Sequence, residues 1–200
     1  MGKPEQHLRK ADPILGVIIQ KIKMKRHRGD ANYFRSLCEA ILSQQISTAA
    51  ADTITARFCA LFPGTDFPKS AQVSKVPVAK LCRAGVSRQK IGYIKDLAKA
   101  VTSGKLDLKD FSKHKDEEVI VALTQIKGIG QWTAEMFMMF SLNRPDVFSA
   151  GDLGLQNAIK KLYKLRKHPD KKKMEKLSNV WKPHRTLAAR YLWASLKLED

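Results

Sequence analysis

The chain has 200 residues, 44% of them hydrophobic, which is enough to bury a real core and fits one domain or two small lobes. Its 37 Lys and Arg against 19 Asp and Glu give a formal charge of +18, so a polyanionic partner is the leading expectation, nucleic acid or an anionic membrane surface. No apolar run is long enough to span a membrane and the N-terminus lacks a signal-peptide layout. Cys38, Cys59 and Cys82 are too far apart for a disulfide framework, a zinc cage or a four-cysteine iron–sulfur cluster. A soluble intracellular protein without a catalytic transition metal is expected.

In chain order, apolar residues recur at helical spacing. The first clear set is Phe34, Leu37, Ile41 and Leu42; a polar turn at Gln44 and Gln45 separates it from Ile54, Phe58 and Leu61. After the breaker "FPGTDFP", the stretch "SRQK" puts Ser87, Arg88 and Lys90 at the basic start of a helix whose apolar positions are Ile91, Ile94, Leu97 and Val101. "DEEVIVALTQIKGIG" begins with acids at the positive end of a helix and finishes at a glycine. "VIVAL" (119–123) is therefore predicted as helix, not strand. Trp132, Met136, Met139 and Phe140 are predicted to share a face, as are Leu155, Ile159 and Leu162 and, near the end, Leu187, Tyr191 and Ser195 with Leu192 beside them. Convincing alternation of apolar and polar residues is found nowhere, so a helical protein is predicted.

Two places carry chemistry. In "QIKGIGQWTA" the glycines Gly128 and Gly130 let the backbone turn tightly and come close to a neighbour, and free amides at the start of the following helix favour a phosphate. That phosphate belongs to a dinucleotide cofactor or to DNA. The cofactor fold needs parallel strands and a third small residue where this chain has Thr133, so the helix–hairpin–helix reading is preferred, with Lys127 adding charge; a plain αα-hairpin with a glycine cap is the bland alternative. The second place is Asp152, just before a helical pattern in "VFSAGDLGLQ". It is an N-cap, or a carboxylate placed to stabilise positive charge developing on a sugar.

Five segments, "ILSQQIS", "AGVSRQKIGYIKDLA", "IKGIGQWTAEMF", "DVFSAGDLGLQ" and "WKPHRTLAARYLW", fall in order across nearly the whole chain and together resemble the DNA-3-methyladenine glycosylase II family of the helix-hairpin-helix-GPD superfamily. The resemblance implies an all-α fold of two helical lobes with a cleft between them: residues 31–144, containing the helix-hairpin-helix at 119–140, and residues 1–30 with 145–200, carrying the catalytic acid. About thirty residues precede the first motif, too few for the N-terminal β domain of some larger relatives.

Carried over by position, the resemblance implies that Asp152 is the catalytic aspartate and that Trp132, Trp181 and Met136 line the base pocket. Gln45 would be the wedge that fills the gap left by a flipped nucleotide. Lys127, Gly128, Gly130, Ser87, Arg88 and Lys90 would contact DNA phosphates, and the main-chain carbonyls of Thr124, Ile126 and Ile129 would hold a monovalent cation, Na+ or K+. Trp132 stands where bifunctional members carry a nucleophilic lysine, so base release without strand cleavage is implied. Tyr191 and Trp193 lie on an apolar helical face and read as core. The implied partner is double-stranded DNA containing damaged bases, met by a monomer with no membrane attachment, no required cofactor and no iron–sulfur cluster.

Three positions depart from the family pattern. Gly151 stands where many relatives have a second acid, Met136 where a larger relative has an aromatic, and Lys127 where a proline is commoner. Two rival readings stay open: removal of other lesions such as hypoxanthine or ethenoadenine, and a non-catalytic helix-hairpin-helix DNA-binding module.

Overall fold

The computed structural model describes residues 2–198, and among these the chain is helical throughout, with no β-strand. It divides into two units, one formed by Met1–Gly29 with Met138–Asp200 and the other by Asp30–Phe137. The first unit opens with α1 (Lys3–Ala11) and α2 (Pro13–Lys21). The second runs through α3 (Tyr33–Ser43), α4 (Thr48–Ala60), α5 (Ser70–Lys75), α6 (Val78–Arg83), α7 (Arg88–Thr102), a 3-10 turn at Lys109–Ser112, α8 (Asp116–Thr124) and α9 (Gln131–Phe140). The division falls inside α9. The chain then returns to the first unit with α10 (Leu153–Leu162), α11 (Lys171–Ser178), a 3-10 turn at Asn179–Trp181 and α12 (Arg185–Ser195).

In the second unit the period of 3.6 places most of the core: Phe34, Leu37, Ile41 and Leu42 of α3, Phe58 of α4 and Ile91, Ile94 and Leu97 of α7 are buried, while Ile54, Leu61 and Val101 are only partly so. The fifteen-residue α7 is the axis of this unit, packing against α3, α5 and α6. Ser87 caps it, its hydroxyl oxygen accepting the Lys90 amide. Phe58 stacks at tilted angles on Phe62 and Phe67, which come from the "FPGTDFP" breaker and close the core over the end of α4. Val119–Leu123 are helical, in α8, with Asp116, Glu117 and Glu118 in the first turn and the Glu118 carboxylate accepting the Lys115 amide.

The expected apolar face of α9 is different. Thr133, Ala134, Glu135, Phe137, Met138 and Met139 are its buried residues, whereas Trp132 is exposed and Met136 and Phe140 are only partly covered. The helix thus buries Phe137, Met138 and Met139 and leaves its tryptophan out.

The first unit is built from two stretches far apart in sequence, and a buried acid joins them. Asp12 caps α2, its Oδ1 accepting the Leu15 amide at 3.0 Å. Its Oδ2 accepts the Trp181 indole N–H at 2.8 Å and the Tyr163 hydroxyl hydrogen. Burial, reinforced by the Asp12 hydrogen bond and charge, pushes the Tyr163 phenol far above its ordinary range. Around this cluster, α1 packs on α2, and α2 and α10 pack on α12, with Leu8, Leu15, Leu155, Ile159, Ala188 and Leu192 sealed from solvent.

Candidate active site

In the first unit, the loop that carries Asp152 is pinned before it reaches α10. Arg185, at the start of α12, grips Asp146 through Nε to Oδ1 at 2.8 Å and one terminal nitrogen to Oδ2 at 3.0 Å and to the Asp146 carbonyl at 2.7 Å. Next to it, the Thr186 hydroxyl donates to the Arg144 carbonyl at 2.7 Å and accepts the Val147 amide at 3.0 Å. The backbone then turns into α10 with Asp152 as N-cap.

Asp152 Oδ1 accepts the Leu155 amide at 2.7 Å and the Trp193 indole N–H at 2.8 Å. The helix-cap reading holds, and the same carboxylate is 9% exposed and oriented by the Leu155 amide and the Trp193 indole. Gly154 belongs to this arrangement. A Cβ there would lie 3.1 Å from Asp152 Oδ1 and equally close to the Trp193 ring, tighter than an ordinary contact. Beside the acid, a Cβ on Gly151 would meet nothing within 4 Å, and Leu153 is 62% exposed. The acid is held from the protein side and flanked by open space.

The two C-terminal tryptophans are not placed as expected. Trp181, expected to line the base pocket, has no exposed surface: its indole N–H is committed to Asp12 and its ring meets Phe148 edge-on. It is a core residue here. Trp193, expected as core, is only partly buried, lies 6.0 Å from the Phe140 ring and donates to Asp152. Its place on an apolar helical face hid it, because periodicity reports burial of a side and not the partner of an indole nitrogen.

In the second unit, three of the expected residues converge on the α3–α4 turn. Gln45 has φ +57°, the left-handed region that a non-glycine residue enters at a cost of about 1–3 kcal/mol. What holds the turn is next to it: Gln44 Nε2 donates to the Gly128 carbonyl at 2.8 Å, and Lys90 Nζ donates to the carbonyls of Leu42 at 2.6 Å and Gln44 at 2.7 Å. Lys90 was expected at a phosphate. The structure gives it a bracing task instead, and partial burial lowers its pKa. Gln45 and its neighbour Ile46, which is 38% exposed, stand at the tip of this braced turn. Ile46 was not singled out from the sequence.

The two hairpin glycines separate cleanly. Gly128 has φ +89°, and a Cβ there would fall 2.2 Å from the Tyr93 ring, so its close neighbour is Tyr93 itself, whose hydroxyl accepts from Gln89. A Cβ on Gly130 would meet nothing within 4 Å, leaving the backbone at the start of α9 open to approach. Lys127, Ser87 and Arg88 are exposed. Trp132, 52% exposed, and Met136 follow one turn apart on α9. Among the hairpin carbonyls, that of Ile126 accepts the Ile129 amide at 3.0 Å, which leaves its second lone pair, and that of Thr124 lies in the last turn of α8, beyond the reach of an intrahelical donor. Neutral carbonyls of this kind suit a monovalent cation. No group of His, Cys, Asp and Glu among the described residues is arranged to hold a metal.

Comparison with known proteins matches residues 38–184 to the HhH-GPD superfamily base excision DNA repair protein family. The chain is 39% identical over 168 residues to DNA-3-methyladenine glycosylase 1 of Schizosaccharomyces pombe, covering 84% of this chain and 74% of that one. Among solved structures it is similar to a DNA-3-methyladenine glycosidase from Bacillus halodurans, with a TM-score of 0.88 and 39% identity over 98% of this chain and 90% of that one. It is also similar to the S. pombe 3-methyladenine DNA glycosylase Mag1 in complex with abasic DNA, with a TM-score of 0.90, 34% identity and coverage of 100% and 98%.

Proposed function

Because the chain belongs to the HhH-GPD superfamily of base excision DNA repair proteins, we infer that it is a monofunctional DNA glycosylase that flips a damaged purine, 3-methyladenine or 7-methylguanine, out of duplex DNA and hydrolyses its N-glycosidic bond. The observation that carries this reading is the Asp152 carboxylate, fixed on one oxygen by the Leu155 amide and the Trp193 indole.

The chemistry follows from that acid. The bond between C1′ and the base nitrogen breaks with its electron pair leaving on the base, and the sugar becomes oxocarbenium-like; Asp152 stabilises this cation, as a fixed carboxylate in a partly dry site does best. Water then adds to C1′, its proton passes to Asp152 or to solvent, and an abasic site remains. An alkylated purine is already cationic and leaves neutral, so one acid suffices. Trp132 offers no amine for a Schiff base, and strand cleavage by that route is absent. Its exposed ring presents an electron-rich face to a cationic base, with Met136 beside it, a preference that neutral normal bases do not share.

The rest of the assignment concerns the duplex. Flipping leaves a gap, and Gln45 with Ile46, on a turn already held in shape, fills it. Phosphates are met by the Gly130 amide region, Lys127, Ser87 and Arg88, while Gly128 and Lys90 shape the surface that receives them. The carbonyls of Thr124, Ile126 and Ile129 would hold Na+ or K+, which supplies positive charge towards a phosphate when bound. The place of action is the compartment that holds the DNA: cytoplasm and nucleoid in a prokaryote, the nucleus in a eukaryote. No helix among the described residues is long and apolar enough to cross a membrane.

The test is release of methylated purines from alkylated duplex DNA. Wild-type protein is expected to release base, with strand breaks only after alkali, and Asp152→Asn to lose release by about 10²–10³-fold. Absence of release by the wild type while duplex binding persists would sink the reading.

A further inference from the structure

Most of the basic surface is not used by the lesion site. Residues 160–176 hold nine Lys and Arg, namely Lys160, Lys161, Lys164, Arg166, Lys167, Lys171, Lys172, Lys173 and Lys176, against Asp170 and Glu175. All nine lie within the first unit, from the end of α10 through the connecting loop into α11. We propose that this segment is a second duplex-DNA-binding surface, which grips backbone phosphates independently of base sequence and of the residues assigned to the lesion. The inference rests on the reading of the protein as a DNA repair enzyme, which selects duplex DNA among the polyanions this charge would attract.

Three observations support it. First, the charges are presented to solvent rather than spent inside the protein. Every one except the half-buried Lys160 is exposed, and among the described residues no carboxylate lies within ion-pair distance of Lys164, Arg166, Lys167, Lys172, Lys173 or Lys176. Both acids in the segment are engaged locally: Asp170 caps α11 by accepting the Lys173 amide at 2.8 Å, and Glu175 lies 4.0 Å from Lys171.

Second, the surface is concave. Leu165, Arg166, Lys167, His168, Pro169 and Lys173, with Asp170, line a depression of about 410 Å³, large enough for a phosphate and its neighbouring sugar. His168 is fixed at its wall by Asn157, at 2.8 Å. The loop is shaped rather than slack: Leu165 N–H donates back to the Lys160 carbonyl, and Lys164 adopts φ +52°.

Third, the arrangement costs stability when nothing is bound. Nine like charges in seventeen residues repel one another, and three lysines open α11, where the helix dipole disfavours cations. Local conflict of this kind marks a functional surface more often than a structural one. Duplex phosphates relieve the repulsion and release their counterions on contact.

The decisive measurement is the salt dependence of binding to an undamaged duplex, for wild-type protein and for a variant with Lys164, Arg166, Lys167 and Lys172 all changed to Gln. Each lost phosphate contact lowers the slope of log K against log salt by about 0.9, so a drop of about 2–4 is expected, with affinity at physiological salt reduced about 10–100-fold. A control replaces Lys80, Lys99, Lys105 and Lys109 by Gln, removing the same charge from the other unit; its slope is expected to fall by less than half as much. Single-turnover base release at saturating protein should change less than about twofold in the first variant, because its substitutions lie outside the residues assigned to the lesion site.

An unchanged slope overturns the proposal. So does an equal fall in the control, which would reduce the effect to net charge, or a loss confined to single-stranded RNA or to phosphatidylserine vesicles. If the wild type releases no base but the slope falls as stated, the surface stands and the glycosylase reading fails.

Discussion

Asp12 and Asp152 begin their helices in the same way and serve opposite ends. Each caps a helix by accepting the amide three residues on, and each accepts the indole N–H of a tryptophan from the C-terminal part of the chain. Asp12 also takes the Tyr163 hydroxyl, and its tryptophan has no exposed surface. Asp152 has Gly151 and the exposed Leu153 at its side, and its tryptophan is only partly buried. A cap and an indole contact join distant segments where they are sealed, and present a fixed carboxylate where one side is left open. The cap and the indole do not separate the two cases; the tyrosine and the surroundings do.

If that contrast holds, removing the two acids gives different phenotypes. Asp12→Ala leaves a buried indole N–H and a phenol without their acceptor, costing about 3–5 kcal/mol in a fold whose whole margin is about 5–15. At about 2–4 °C per kcal/mol, the melting temperature should fall by about 6–20 °C. Base release per folded molecule should stay near wild type. In Asp152→Asn the amide oxygen still caps α10 and still accepts the indole, so melting is expected to move by less than about 3 °C while release falls about 10²–10³-fold. Equal loss of stability in both variants would erase the distinction.

How much of this was legible in the sequence depends on the distance over which each feature is decided. The helices were legible because apolar spacing is local: the predicted inward positions of α3 and, apart from the partly buried Val101, of α7 are buried, and "VIVAL" is helical. The hairpin was legible for the same reason, though its glycines proved to have different tasks, one forced by Tyr93 and one facing open space. Nothing local told the tasks of Trp181 and Trp193, since the acids that accept from their indoles lie 169 and 41 residues away. Lys90 misled for a related reason: a basic residue at a helix start suggests a phosphate, yet its long stem reaches back 46 and 48 residues to two carbonyls. The inward face of α9 was less legible, because helical spacing groups Trp132 with Met136, Met139 and Phe140 but does not say which side of an apolar helix is covered.

The tryptophans sharpen the contrast at smaller scale. Trp193→Phe keeps a ring but removes the indole donor to Asp152 Oδ1; a hydrogen bond to a charged group is worth about 1.5–3 kcal/mol, so the single-turnover rate should fall about tenfold or more. A positioning role predicts this fall in kcat with little change in KM, and melting within about 3 °C of wild type. Trp181→Phe should do the reverse, lowering the melting temperature with the rate per folded molecule intact. A Trp193→Phe variant that loses stability but not rate would return that residue to the core.

The smallest effect concerns pH. Burial, with the Asp12 hydrogen bond and charge adding to it, raises the Tyr163 phenol far above its ordinary value near 10.0. Below that ordinary value the phenol is protonated in folded and unfolded chains alike, and its contribution to stability is fully present. As pH rises above about 10, the unfolded chain gives up the proton and the folded chain keeps it, so stability falls by about 1.4 kcal/mol per pH unit from this group alone. Tyr163→Phe lacks the titration. Near neutral pH the variant should be the less stable protein by about 1 kcal/mol, the net worth of the lost hydrogen bond. Between about pH 10 and 11 the gap should close, because only the wild type pays for retaining the phenolic proton. The alkaline shift of Tyr191 is common to both proteins and cancels in the difference. A gap that stays constant through this range would mean that the phenol ionises in place, and that the Asp12 cluster is less sealed than the site it is contrasted with.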